Sequence, residues 1–175
     1  TGVGGGVILN QKMVSGAHGL AGEIGHIHVR DEEKEHCNCG GMGCLEQVAS
    51  ATGIAREARR TMASCDTPSL LREYGDRVTA KNVLDAAKAG DALADQVVEV
   101  VCRYLGLALA QASMMMDPEI FVIGGGVSKA GQYLIDRIYG HYDYFTPISK
   151  NKAKIGLATL GNDAGIYGAA RLILE

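Results

Sequence analysis

The sequence predicts an α/β domain in which a mixed sheet carries a helical layer on one face and a zinc-containing loop. Three observations carry that prediction. Short β-rich segments alternate with helical ones along the chain, as in α/β domains. The block from 45 to 116 reads as helix almost throughout, too long for a simple crossover and suited to a helical layer. Three cysteines also fall within eight residues, at Cys37, Cys39 and Cys44, in a glycine-rich stretch.

Taken in order, residues 3–9 read as a strand, with Asn10 and Gln11 as its turn and Met13 and Val14 opening the return. A loop follows over 15–23, and the alternation over 24–29 predicts a short strand. Residues 31–36 form a charged loop that runs into the cysteines. Helical pattern begins at Cys44. Thr67 with Pro68 reads as an N-cap followed by proline at the first helical position. Thr79 is a second candidate cap, Gly90 ends that helix, and Asp91 caps the next. The helix over 92–116 is nearly all apolar from Leu105 onward, so it must be buried on most sides. Asp117 and Pro118 stop it, and 119–123 is a short buried strand. Gly124, Gly125 and Gly126 then turn into a helix reaching about His141, and a strand at 154–158 leads to a last helix over 163–174.

The chain has 175 residues, 47% of them apolar, which suits one domain. A chain of that length buries about 70% of its unfolded surface and needs no disulfide framework. Seventeen basic and twenty acidic side chains leave a net charge of −3, against a nucleic-acid partner, which needs clustered positive charge. No uninterrupted apolar run approaches the ~20 residues that span a bilayer, and no signal segment opens the chain. The chain begins with Thr1 on a glycine-rich run, so an N-terminal part is expected to be missing. Five cysteines cannot all pair internally, and Cys65 and Cys102 stand alone in helical patterns. That distribution fits a metal site in the reducing cytoplasm better than a disulfide framework.

Zinc prefers four ligands in a tetrahedron, with sulfur at about 2.3 Å. Cys37, Cys39 and Cys44 supply three, and glycines at 40, 41 and 43 let the backbone wrap a small ion. The fourth ligand is His26, His28 or His36. His36 adjoins Cys37, so the two side chains tend to diverge. His28 shares the strand parity of His26, and spacing does not separate them. A closed Cys₃His site has no open position, which excludes a zinc hydrolase.

Two glycine runs, at 1–6 and 124–126, could bring backbone N–H groups close to phosphates. Taken singly, such runs more often serve turns and close packing. There is no G-x-x-x-x-G-K-[ST] sequence and no complete G-x-G-x-x-G unit. Two such loops near opposite ends of an α/β chain fit a kinase with its nucleotide in a cleft.

Five stretches together carry a resemblance. They are Thr1-Gly2-Val3-Gly4-Gly5-Gly6, Gly22-Glu23-Ile24-Gly25-His26, the run Cys37-x-Cys39-Gly40-x-x-Gly43-Cys44-Leu45-Glu46, Ile123-Gly124-Gly125-Gly126-Val127-Ser128, and Asp163-Ala164-Gly165-x-x-Gly168-Ala169-Ala170. In this order they resemble the ROK family of bacterial sugar kinases and sugar-responsive repressors, and within it the ATP-dependent glucokinases. The resemblance implies an actin-like ATPase, or ribonuclease H-like, fold. It implies that His26 is the fourth zinc ligand and that Glu23, His26 and Glu46 contact sugar hydroxyls. It further implies that Thr1 and Gly2, with Val3, Gly4 and Gly5, lie at the β- and γ-phosphates of ATP. Gly124, Gly125, Gly126 and Val127 match the segment near the adenosine. The family's general base is an aspartate in an N-terminal lobe. Residues 1–175 would then be the larger, C-terminal domain, with no catalytic base of its own and no turnover by itself. Mg-ATP and glucose are the implied co-substrates, zinc a structural ion that supports the sugar pocket, and the assembly a homodimer. Two alternatives stay open: the sugar-sensing domain of a repressor, and a kinase for N-acetylmannosamine, N-acetylglucosamine or fructose.

Overall fold

In the computed structural model, which describes residues 2–173, the chain opens on a hairpin. Asn10 and Gln11 both take positive φ, 51° and 64°, the backbone of a two-residue turn that matches strand twist. The turn pairs β1 (Val7–Leu9) antiparallel with β2 (Lys12–Val14), Val7 facing Val14 and Leu9 facing Lys12. The strand expected over 3–9 is therefore shortened to its last three residues. The glycine-rich backbone before it packs on the turn at 22–25 instead. A Cβ on Gly25 would collide with the Val3 carbonyl, and one on Gly5 would come within 2.5 Å of the Gly22 carbonyl.

The strand expected over 24–29 does not form. Ile24–His26 is a turn of 3₁₀-helix, closed by local bonds from the His26 N–H to Glu23 and from the Ile27 N–H to Ile24. The following backbone is taken up by the cysteine loop: the N–H groups of Val29 and Arg30 donate to the Gly43 carbonyl, and Leu45 N–H donates to Ile27. These bonds make one isolated antiparallel bridge, His28 opposite Cys44, and the 3₁₀ turn before it leaves no extended backbone to lengthen it into a strand.

The helical layer forms as expected, with one difference at its caps and a second at the end of its longest helix, where Met114, Met115 and Met116 are exposed and not buried. After α1 (Glu46–Ala49), Ser50 breaks the helix and caps α2 (Ala51–Ser64) by accepting from the Gly53 N–H. Thr67 and Pro68 start no helix. The Asp91 carboxylate takes the Leu70 N–H and the Ser69 hydroxyl, so Ser69 instead caps a short 3₁₀ turn, Leu70–Glu73. Thr79 caps α3 (Ala80–Lys88) in a reciprocal box with Asn82, and Asp91 caps α4 (Ala92–Met116) through the Ala94 N–H. Asp117, in the left-handed region at φ 42°, ends α4.

By length and composition α4 could cross a bilayer, but it is the core helix of this domain. Leu93, Val97, Val101, Cys102 and Leu109 on α4 are all buried among the surrounding helices. A parallel ladder follows, β3 (Ile120–Ile123) with β4 (Lys154–Leu157). The chain leaves β3 through the three glycines and a 3₁₀ turn, Val127–Ala130. Only after Gly131, at φ 75°, does α5 (Gln132–Phe145) begin, and it runs past residue 141. The last described element is α6 (Ala164–Ile173).

Parallel and antiparallel pairing are both present, but among the described residues they form two separate two-stranded ladders, not one sheet. Tyr142, on α5 and 1% exposed, joins the second ladder to the helices. Its hydroxyl bonds Ser113 on α4 at 2.8 Å and accepts from the Ala153 N–H, and its ring meets Phe121 edge-on.

Candidate metal centre and neighbouring carboxylates

The short turn at 24–26 and the loop at 37–44 bring four ligand groups to one point. His26, Cys37, Cys39 and Cys44 each offer an atom, and these atoms all lie within 4.8 Å of one another. Cys39 Sγ is 3.6 Å from Cys44 Sγ, and Cys37 Sγ is 3.7 Å from His26 Nδ1. The edges of a tetrahedron around zinc with Zn–S of about 2.3 Å are about 3.6–3.8 Å, so the donor set fits. Positive φ at Gly40 and Gly43, 89° and 75°, makes the two bends that turn the sulfurs inward.

The thiol chemistry fits as well. Burial pushes the Cys44 thiol up to about 12, and burial likewise raises Cys37. The Gly41 N–H lowers Cys39. Thiols this close resist ionising together, and a divalent cation supplies the charge that lets them do so.

The structure separates the three histidines that spacing left open. His28 Nδ1 bonds the Met42 carbonyl at 2.8 Å while Nε2 meets Asp31 at 2.8 Å, which raises its pKa. His36 Nδ1 is 3.1 Å from the Gly40 carbonyl. Both brace the loop backbone, and only His26 turns its ring to the sulfurs.

The expected sugar-side residues gather around that ring. Glu23 Oε2 lies 4.0 Å from His26 Nε2, and Glu46 Oε1 lies 3.9 Å from Nδ1. Cys37 Sγ donates to Glu46 Oε1 at 2.8 Å. Gly2 presses on the same carboxylate, since a Cβ there would come within 2.3 Å of Glu46 Oε2. A cavity of about 300 Å³ opens between Gly2, Glu46, Cys37, Asn38 and the start of α2.

Of the glycine positions, Gly2, Val3 and Gly5 lie beside this group, through Glu46, Gly25 and Gly22 respectively. Gly4 has open space around its Cα. Thr1 lies outside the described residues. Gly124, Gly125, Gly126 and Val127 stand at the carboxyl end of β3, where open α/β sheets bind ligands. Ser128 fixes this turn by donating to the Gly125 carbonyl at 2.8 Å. Among the described residues no hydrogen bond or ion pair links this run to residues 2–5.

Behind the cysteine loop stands a charged cluster that the sequence analysis did not single out. Arg30 grips Glu57 with two bonds of 2.7 and 2.9 Å and lies over the Tyr104 ring. Arg60 holds Glu33 and also reaches Glu35 and Glu57, while Arg56 bonds Glu35 and Glu33. The signal was the match between an acidic loop (Glu32, Glu33, Glu35) and a basic helix face (Arg56, Arg59, Arg60). Gln47, buried beside Glu46, was likewise missed. Its Nε2 donates to the Glu35 carbonyl at 2.9 Å, and its Oε1 accepts from the Cys44 N–H at 3.1 Å.

Residues 1–175 match the model of the ROK family. A glucokinase of Halalkalibacterium halodurans is 47% identical over 178 aligned residues, which cover all of this chain and 54% of that protein. A solved ROK family glucokinase from Streptomyces griseus, in complex with glucose and AMPPNP, superposes with a TM-score of 0.85 at 34% identity, over 98% of this chain and 57% of that one. A ROK family transcriptional regulator, a homologue of the E. coli MLC protein, superposes with a TM-score of 0.82 at 33% identity, over 97% and 42%. The chain spans about half the length of the glucokinases it matches.

Proposed function

This chain belongs to the ROK family, and from that premise we propose that it is the larger, C-terminal domain of a kinase that transfers the γ-phosphate of ATP to the 6-hydroxyl of glucose. The observation that carries the proposal is that Glu23 and Glu46 flank the two nitrogens of the His26 ring, with Glu46 also against the glycine-rich backbone at Gly2. Carboxylates accept hydrogen bonds from vicinal hydroxyls, and an imidazole whose other nitrogen is committed can still meet one more.

His26 Nδ1 and the sulfurs of Cys37, Cys39 and Cys44 would hold zinc, which supplies positive charge that keeps the thiols ionised and the loop folded. An ionised Cys37 has no proton to donate, so its bond to Glu46 Oε1 is released and that oxygen can accept from a sugar hydroxyl. Gly2, Val3, Gly4 and Gly5, with Thr1, would face the β- and γ-phosphates of Mg-ATP, and Gly124, Gly125, Gly126 and Val127 the adenosine. Phosphoryl transfer needs acceptor, base and Mg-ATP held in line. We assign the base to an aspartate on a lobe outside these residues, so this chain alone should release no ADP. We place the enzyme in the cytoplasm, as a homodimer.

The test is coupled ADP release across a sugar panel by the full-length kinase and by this chain. Glucose is expected to give the highest kcat/KM, with no turnover by the chain. A higher kcat/KM for N-acetylmannosamine, N-acetylglucosamine or fructose would overturn the glucose assignment. Turnover by the chain would overturn the division of labour. The regulator similarity favours a second reading, a sugar-sensing domain. Sugar binding without any nucleotide binding in the full-length protein would select it.

A further inference from the structure

Gln47 pins together the two ends of the cysteine loop, and we propose that it is a positioning residue that presets the loop for its metal ion. The inference rests on the reading of His26, Cys37, Cys39 and Cys44 as a metal centre, and concerns a residue outside that set. Gln47 is 6% exposed, and every polar group it carries is engaged. The side chain spans from the Glu35 carbonyl, just before Cys37, to the Cys44 N–H, the last ligand's own backbone. The Gln47 N–H donates to the Cys44 carbonyl at 3.0 Å, and its carbonyl accepts from Arg56. Arg56 and Arg60 in turn hold Glu33, whose carboxylate takes the N–H groups of Lys34 and Glu35. Residues 33–35 and 44 are thus fixed from α1 and α2 together, and the loop between them closes with its sulfurs already gathered.

The chemistry of the side chain is specific. The Cys44 N–H can only donate and the Glu35 carbonyl can only accept, so the site needs an acceptor and a donor on one planar group. At neutral pH, among flexible side chains of this length, only the amide offers both. Glutamate at the position would set a carboxylate against the Glu35 carbonyl, and methionine would fill the space with neither bond. Both ends of the loop are then free to move, and the ion must pay the ordering entropy itself.

The experiment titrates the chain and its Gln47→Met and Gln47→Glu variants with zinc against a chromophoric chelator. Cobalt(II) spectra report the ligand set, and melting is followed with and without metal. Both variants are expected to bind zinc about 10–100-fold more weakly, the usual effect of disturbing the groups that orient metal ligands. Their cobalt spectra should keep thiolate bands, and their melting should fall more with metal than without it. A zinc Kd within about twofold of the parent for either folded variant overturns the inference, as does an equal fall in melting with and without metal, which marks a purely structural role. Failure of the parent chain to take up zinc or cobalt overturns the metal-centre reading itself, and this inference with it.

Discussion

Arg60 clasps Glu33 with two parallel hydrogen bonds, 2.9 Å from one guanidinium nitrogen and 2.8 Å from the other, and the Glu33 side chain is 1% exposed. The pair joins the acidic loop before the cysteines to α2. Removing Arg60 takes two hydrogen bonds from a buried carboxylate that then keeps only Arg56 and two backbone N–H groups, which costs about 1.5–3 kcal/mol. Arg60→Met should therefore lower the melting temperature by about 6 °C, at about 2–4 °C per kcal/mol for a chain of this size. A shift under 2 °C would show that the pair contributes little.

The same pair sets an acid limit. The Arg60 hydrogen bonds hold the Glu33 carboxyl down to about 2, from an ordinary value of 4.5. A carboxyl depressed on folding stabilises fully above its unfolded value and loses that contribution as the pH falls toward its folded one. Stability should thus fall between about pH 4.5 and pH 2, more steeply in the parent than in Glu33→Gln. Urea unfolding across that range checks the sign, and identical slopes in the two proteins would reject it.

Gly106 on α4 lies directly against α5. A Cβ there would lie 2.5 Å from the His141 Cβ and 2.8 Å from the Tyr142 amide nitrogen. One of the two obstacles is backbone and cannot rotate away. Gly106→Ala should cost about 1–3 kcal/mol through overpacking, despite the better helix propensity of alanine. Thermal unfolding measures it, and a stabilised variant would mean that the helices can separate freely.

Cys39→Ser removes one of the four proposed metal ligands while leaving His26, Glu23 and Glu46 in the sequence. In the proposed full-length kinase the expected outcome is loss of zinc by elemental analysis together with glucose binding weakened about tenfold or more. Unchanged glucose affinity in the zinc-free variant would confine the ion to holding the fold.

Local signals in the sequence were legible wherever the deciding contact is local. Thr79 with Asn82 and Asp91 with Ala94 are caps settled within three residues, and the cysteine spacing carries its own geometry. Signals failed where a distant group decides. Thr67 and Pro68 have the chemistry of a helix start, yet Asp91, far along the chain, places that start at Ser69. The alternation over 24–29 has strand periodicity, but residues 24–26 close on themselves as a 3₁₀ turn and only His28 is left to bridge Cys44. His26 could not be told from His28 by spacing, because the choice depends on the Met42 carbonyl that occupies the His28 ring. Gln47 has no motif of its own, and its importance comes entirely from the two backbone groups it reaches.

The close seat of Val3 on Gly25 has a mechanical consequence. Bare backbone meets bare backbone there, with no side chain between them to bend or change rotamer. Any side chain at position 25 would therefore have to drive the glycine segment off the turn that carries Glu23 and His26, and could not turn aside to avoid it.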